Sequence, residues 1–286
     1  MGGTVLVSEF VEESTDDHCR LRRELLSSGS LPAPPTGFSD SSAGFSDAAA
    51  DHMLHCLDQR GLAVLQLADP LTNDAFRRLG ALLGTAIPET DAAVQRYVED
   101  GVILHLVAEE GRTSDVSLQP FATTPLSLHS EGSGRAARDQ PRYIVLMGCD
   151  PGTDTSATTV LVPMAAVGSR LSDEDLRLLT STRYEGRSGV PTVARREEGR
   201  IVYSFRDFQG SPLRWVCDAS GADETAVNQA FRRLLAGMYS PEEAYGVRWT
   251  RGLLVVIDNT SFFHGRSRGP ERPAGRPRHL KRLRIR

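Results

Sequence analysis

Apolar and polar positions divide the chain into a helical beginning and a β-rich remainder. Val11 to Leu26 mixes charged with scattered apolar residues and predicts a helix. Ser27 to Ser46 is rich in Ser, Gly, Pro and Ala and predicts a loop or linker. Its two aromatic residues, Phe38 and Phe45, suit a loop that docks rather than floats. Helices are expected at Asp47–Arg60 and Asn73–Leu83, the second with Asp74 near its start, around a strand at Gly61–Leu67 (GLAVLQL).

Beyond this the pattern changes to short runs with strand character. They are VILHLV from Val102, YIVLMGC from Tyr143, TTVLVP from Thr158, RIVYSF from Arg200, LRWVC from Leu213 and LLVVID from Leu253. Two helices interrupt them. One follows Leu171, where Ser172 and Asp175 have capping-box spacing; the other spans roughly Asp223 to Met238. There is no internal repeat, and strands and helices do not alternate regularly, which disfavours a doubly wound parallel sheet. The expectation is a mainly β fold with helical additions, an antiparallel sandwich or double-stranded β-helix (jelly roll). It is expected as a single domain over residues 1–286, with a helical N-terminal portion over 1–90.

Composition narrows the class. The 286 residues are 40% hydrophobic and 24% charged, with a net charge of −4, which fits neither a nucleic-acid binder nor a membrane-surface protein as a whole. Cys19, Cys56, Cys149 and Cys217 form no C-x-x-C pair and no zinc framework. Free thiols in a reducing cytoplasm are the expectation. No apolar run approaches the roughly 20 residues of a membrane span.

The first stretch with chemical content is PLSLHSEG, Pro125 to Gly132. On a strand, residues i and i+2 share a face, so His129 and Glu131 would point together and Ser130 away. That geometry argues against a local Ser-His-Glu relay, and no G-x-S-x-G elbow occurs elsewhere. The second stretch is LLVVIDNTSFFHGRSRG, in which an apolar strand runs into the turn-forming pair Asp258-Asn259 and then to His264. Two His and one carboxylate make the facial triad of non-haem iron(II) oxygenases, which leaves iron positions open for a 2-oxoacid and O2. Arg278 stands fourteen residues beyond His264, and Arg282 four further, on the same strand face. A planar guanidinium suits the distal carboxylate of 2-oxoglutarate, since it makes two parallel bonds.

These three motifs, in this order and spacing, make the chain resemble the clavaminate synthase-like branch of the taurine dioxygenase superfamily. That branch includes β-hydroxylases of free arginine and asparagine. The resemblance rests on PLSLHSEGS, VVIDNTSFFHGR, and Arg278 with Arg282, and it extends to the helical N-terminal portion. It implies a jelly-roll core, Fe(II) held by His129, Glu131 and His264, and Arg278 on the C5 carboxylate of the cosubstrate 2-oxoglutarate. Arg282 is expected to assist there. The family often adds a threonine in a GGxT segment; here SATT stands in its place, without the glycines, so Thr159 is the better match and Thr158 the fallback. Because Glu131 occupies the position that related halogenases give to a small residue, hydroxylation or desaturation is implied over halogenation. The implied substrate is an amino acid or amino-acid-derived small molecule, free or carrier-bound, in specialised (natural-product) metabolism.

Other signals weigh less. Gly132 to Ala137 fits G-x-G-x-x-A, but RDQP after it is a poor helix, so a dinucleotide fingerprint is rejected in favour of a loop over the iron site. Arg266 to Arg286 holds eight arginines and Lys281, which as a free tail would suggest nucleic-acid binding; the alternation in RHLKRLRIR suggests a strand instead. Gln119, Arg206 and Asp207 are candidate substrate contacts, Arg206 for a carboxylate and Asp207 for a cationic amine. His18, His52, His55, His105 and His279 are assigned structural or surface roles, without partners at ligand spacing. Two alternatives stay open, a metal-holding jelly roll that binds or senses without catalysis, and nucleic-acid binding through the arginine-rich end.

Overall fold

The computed structural model describes residues 5–27, 30–35, 38–40, 45–108, 115–186, 189–269 and 275–286. The N-terminal region contains β1 (Leu6–Phe10), α1 (Asp17–Ser27), β2 (Phe38–Asp40), α2 (Asp47–Arg60), β3 (Leu62–Leu67) and α3 (Asn73–Leu83). Next come β4 (Val98–Glu99), β5 (Ile103–Val107), β6 (Leu126–His129), β7 (Tyr143–Asp150), β8 (Thr159–Pro163), α4 (Met164–Gly168) and α5 (Asp173–Thr180). Then follow β9 (Thr182–Tyr184), β10 (Ala194–Glu197), β11 (Arg200–Tyr203), β12 (Leu213–Cys217) and α6 (Glu224–Met238). The chain finishes with β13 (Tyr245–Val247), β14 (Leu253–Asp258), β15 (Phe262–Arg266) and β16 (His279–Ile285).

Helix boundaries follow local chemistry. Ser46 caps α2 by accepting from the Ala49 N–H, and the helix stops at Gly61, whose φ of 67° is left-handed. Ser172 and Asp175 form the expected capping box of α5. The helix expected over Val11–Leu26 begins only at Asp17. Residues 11–16 run extended and then turn, and ahead of them residues 6–10 form β1, which pairs antiparallel with β12 and buries Phe10. This is long-range pairing that no local pattern announces.

The strands make two main antiparallel sheets, mainly β architecture with helices added. One has seven strands in the order β2-β3-β14-β7-β16-β5-β4, with a parallel pair only at β2/β3; the other has four in the order β13-β8-β15-β6. Alternation along the strands sorts the side chains into layers. From β14, Leu254 and Val256 pack with Met53 and Leu57 of α2 and Phe76 of α3. Leu253, Val255 and Ile257 turn the other way, to meet Leu161 of β8 and Phe262 of β15. The outer face of the four-stranded sheet, with Val160, Val162 and Phe263, packs under α1, α4, α5 and α6. Side chains on the facing surfaces of the two sheets therefore enter a shared interior.

Part of the expected linker is structured. Phe38 and Phe45 pack on the α2/α3 core and Phe38 stacks on His52 at 5.3 Å. Residues 28–29, 36–37 and 41–44 of that segment lie outside the described residues. The arginine-rich RHLKRLRIR segment is β16, paired between β7 and β5. The four cysteines are unpaired, and no described helix is long and apolar enough to cross a membrane.

Candidate active site

His129 closes β6, and Glu131 follows in the turn just beyond it rather than on the strand itself. His264 sits at the centre of β15 and is the direct register partner of His129. The Glu131 Oε2 lies 3.6 Å from His129 Nε2 and 3.7 Å from His264 Nε2, and the two imidazole centroids are 4.3 Å apart. The ligand atoms of all three lie within 4.8 Å of one another. An ion bound at about 2.1 Å needs cis ligands about 3 Å apart, so small rotamer shifts close this set onto a metal.

The protonation states suit the task. His129 Nδ1 donates to the Ser127 carbonyl at 2.8 Å, which fixes the tautomer and leaves Nε2 as the ligand. Burial, with His129 beside it, pushes the His264 pKa down to about 4, so that imidazole is neutral. Burial alone would raise the Glu131 pKa; Arg282 first, then the two imidazoles, outweigh it and hold the carboxyl well below its usual range. Neutral imidazoles and an ionised carboxylate are the states a divalent metal takes.

The backbone around the ligands is constrained. The Asn259 side chain accepts from the Glu131 N–H at 2.7 Å and donates to the carbonyls of Glu131 and Pro141 at 3.0 and 2.9 Å. Asp258 accepts from the Thr260 N–H and hydroxyl and from Arg142, which holds the turn. A Cβ on Gly265 would stand 2.6 Å from the Leu126 carbonyl oxygen, so the strand carrying His264 approaches β6 only because that residue is glycine. The β6/β15 register also shifts between His264 and Arg266, a bulge of the kind found beside active sites. Ser130 points away as expected, its hydroxyl accepting from Phe205 N at 3.1 Å.

Arg278 lies just before β16 with its Nε and Nη1 buried and unpartnered, and desolvation lowers its pKa to about 10. Arg266, from the HGR motif, donates to the carbonyls of Gln119, Pro120 and Thr124; burial and the nearby Arg278 lower its pKa to about 9. Thr159 is the register partner of Arg266 and accepts from Trp249 Nε1 at 3.0 Å, which leaves its own proton to donate. Thr158 is engaged elsewhere, with Ser267 at 3.1 Å.

Arg282 lines the cleft and is engaged by two carboxylates. Its Nη2 donates to Glu89 at 2.9 Å and its Nη1 is 3.5 Å from Glu131; Arg284 repeats the arrangement at 2.7 and 3.5 Å. Two guanidiniums thus bridge Glu89 to the triad carboxylate. The register shift between His279 and Leu280 falls on β7, where Cys149 is the extra residue; β16 keeps an unbroken register with β5, so Arg282 and Arg284 face the cleft while Leu283 and Ile285 face the helices.

An open cleft of about 1430 Å3 leads to the triad and is lined by His129, Glu131, Gln119, Arg206, Arg282 and Arg284, among others. Gln119 and Arg206 meet there, the guanidinium donating to the Gln119 side-chain carbonyl. Arg206 reaches this place because its backbone bridges to His129. Asp207 does not serve as imagined. It is 2% exposed and engaged with Arg22 of α1, Tyr239 and the Gln209 N–H. Three histidines also have partners that sequence spacing hides. His105 joins His279 at 2.9 Å and Glu99 at 2.9 Å, and His18 joins Glu12 at 3.2 Å. The Gly132–Ala137 segment forms turns along the cleft and runs only into a single 3-10 turn, Ala137–Asp139, rather than an α-helix, so it builds no dinucleotide site.

Sequence reasoning missed Asn259, Glu89, Arg284 and Arg266. Arg284 had a signal, since it shares alternation with Arg282; Glu89 had none, being nearly two hundred residues from its partners.

Comparison with known proteins adds to this geometry. A family model described as taurine catabolism dioxygenase TauD, TfdA family matches residues 30–284. Tyrosine isonitrile desaturase of Pseudomonas aeruginosa is 25% identical over 203 residues, 65% of this chain and 66% of that protein, just under two thirds of its length. Among solved structures, the PvcB protein of Pseudomonas aeruginosa superposes with a TM-score of 0.61 at 21% identity, over 98% of this chain and 91% of that one. Asparagine oxygenase in complex with Fe(II), 2S,3S-3-hydroxyasparagine and succinate gives 0.62 at 18% identity, over 84% and 79%.

Proposed function

The chain belongs to the TauD, TfdA family and is a 2-oxoglutarate-dependent dioxygenase of that family, and from this premise we propose that it hydroxylates or desaturates an unactivated C–H bond of an amino acid or amino-acid-derived small molecule in specialised metabolism. The observation that carries this reading is the convergence of two imidazoles and one ionised carboxylate at the end of an open cleft. Relatives named for tyrosine isonitrile and asparagine chemistry supply the substrate class.

His129, Glu131 and His264 would hold Fe(II): the donor set is the facial triad, the His129 tautomer is preset, and the protonation states are those of ligands. Arg278 would hold the distal carboxylate of 2-oxoglutarate, because its buried, unpartnered Nε and Nη1 are otherwise a cost without compensation. Thr159, with a free hydroxyl proton beside Arg266, would add a hydrogen bond. Bound iron supplies the oxidising chemistry, with O2 as oxidant and 2-oxoglutarate leaving as succinate and CO2. Arg282 and Arg284 keep Glu131 ionised and its free oxygen occupied, and Gln119 and Arg206 line the approach for substrate. A retained Glu131 favours hydroxylation or desaturation over halogenation. The facing seven- and four-stranded sheets would form a jelly roll in a single domain, and four free cysteines suit a reducing cytoplasm.

Anaerobic reconstitution with Fe(II) and 2-oxoglutarate tests the reading. The expected result is a weak visible metal-to-ligand charge-transfer band that is lost in His129→Ala and weakened in Arg278→Ala. Iron uptake with no band would overturn the assignment and support a metal-holding binder or sensor.

A further inference from the structure

β6, which carries His129, is the outermost strand of its sheet, so its far edge has no further strand of that sheet to pair with. Leu128 and Ser130 are buried there, and a buried backbone group without a partner is costly. The partners come from distant parts of the chain. The Leu128 N–H donates to the Tyr239 hydroxyl at 3.1 Å, and the Leu128 carbonyl accepts from Asp207 N at 3.1 Å. Ser130 N donates to the Phe205 carbonyl at 2.9 Å, and the Ser127 hydroxyl donates to the Asp207 carbonyl, also at 2.9 Å. The Ser127 carbonyl in turn accepts from His129 Nδ1.

The Asp207 carboxylate ties these contacts together. Its Oδ2 accepts from the Tyr239 hydroxyl at 2.5 Å, and its Oδ1 accepts from Gln209 N at 2.9 Å. Tyr239 stands at the end of α6 and is fully buried; burial, with Asp207 beside it, raises its pKa, so the hydroxyl keeps the proton it donates. With that proton committed to Asp207, the oxygen lone pairs are left for Leu128. Arg22 of α1 completes the set. Its Nη2 donates to Asp207 Oδ1 at 2.9 Å, and its Nε lies 2.6 Å from Oδ2. The same guanidinium stands 5.4 Å from the Tyr239 ring and is held by Glu12 at 3.1 and 2.5 Å. A planar fork on a carboxylate fixes its rotation as well as its charge.

We propose that Arg22, Asp207 and Tyr239 act together as the positioning element for His129, through which α1 and α6 set the strand that presents the imidazole. This rests on the iron-site reading above. None of the three is a ligand; they act through the Leu128 peptide and the Ser127 carbonyl, which holds the ring in its tautomer and orientation.

The test is titration of the whole chain with Co(II), read as affinity and as the d–d spectrum, which reports the arrangement of the ligands rather than the stability of the fold. Tyr239→Phe deletes the hydroxyl between Asp207 and Leu128, and Arg22→Ala leaves the Asp207 carboxylate without its fork. Each should weaken Co(II) binding about tenfold or more and shift the spectrum. Millimolar ethylguanidinium should restore both readouts in Arg22→Ala by filling the vacated place, whereas uncharged ethylurea should not. Restoration should be lost when Asp207→Asn is added. Phe76→Leu, in the core on the α2/α3 side of the larger sheet, is the control: it should lower the unfolding temperature with Co(II) affinity and spectrum unchanged. The proposal is overturned if either Tyr239→Phe or Arg22→Ala keeps wild-type affinity and spectrum. It is also overturned if ethylguanidinium restores neither readout, or if Phe76→Leu changes them as much. A wild-type chain that takes up no Co(II) would instead count against the iron-site reading.

Discussion

Asn259 grips the peptide of Glu131 in both directions, accepting from its N–H at 2.7 Å and donating to its carbonyl at 3.0 Å. The turn that precedes β15 therefore positions the candidate carboxylate ligand that follows β6, although the two are far apart in sequence. Removing the amide in Asn259→Ala frees the Glu131 backbone and leaves the Pro141 carbonyl without its donor. The expected outcome is a ten- to hundredfold loss of metal affinity with a destabilisation of about 1–3 kcal/mol. Competition titration of Fe(II) or Co(II) measures it, and unchanged affinity would remove Asn259 from the site.

Glu89 neutralises two buried guanidiniums at once. Glu89→Gln leaves Arg282 and Arg284 dependent on Glu131 alone, and breaking a buried pair in this way costs about 3–5 kcal/mol. Denaturant unfolding should show that loss. Glu89→Ala with Arg284→Leu, which removes one member of each sign, should recover much of it; failure to recover would mean the pairs act independently.

Gly265→Ala places a methyl 2.6 Å from the Leu126 carbonyl and 3.2 Å from a Leu128 methyl carbon. β15 must then withdraw from β6, taking His264 with it. A stability loss of about 1–3 kcal/mol should be joined by loss of metal binding, whereas a remote overpacking mutation of equal cost would leave metal binding intact. Thermal unfolding with and without Fe(II) separates the two.

Acidification should destabilise the metal-free protein through His264. Its folded pKa, about 4, lies below the ordinary 6.5. Between those values the unfolded chain takes up a proton that the folded protein refuses, so stability falls as pH drops from about 6.5 toward 4. The slope for one such group is at most about 1.4 kcal/mol per pH unit. Glu131 adds a later loss: its depressed pKa stabilises the fold above about 4.5, and that contribution disappears as pH falls further. Unfolding midpoints of wild type and His264→Gln across this range test it, and parallel curves would refute it.

Sequence and structure agree where the signal is local. The alternation of PLSLH, the buried run LLVVID and the HGR motif are sufficient to put His129 and His264 on strands and Glu131 beside them. Arg278 follows from spacing. The start of α1 falls six residues later than expected, at Asp17, and β1, just ahead of that segment, has no local signal because it is fixed by pairing with β12, more than two hundred residues away. Asp207 fails for the same kind of reason: a carboxylate next to a strand looks available until Arg22 and Tyr239 arrive from two separate helical segments. Arg282 faces the cleft as alternation expects, but Glu89, distant in sequence, is there to engage it. Periodicity reports which way a residue faces; only the tertiary fold reports what is already waiting there.

The pairing of His129 with His264 would give a bound metal a second role. As ligands, these register partners on adjacent strands would become the two ends of a removable cross-link, fastened at the place where the β6/β15 ladder loses its regular register. Such a link restricts the unfolded chain as a disulfide does, with a strength set by the free metal concentration rather than by covalent chemistry. The edge of the four-stranded sheet would then be as firm as the supply of iron makes it, and resistance to proteolysis at that edge would become a gauge of metal occupancy.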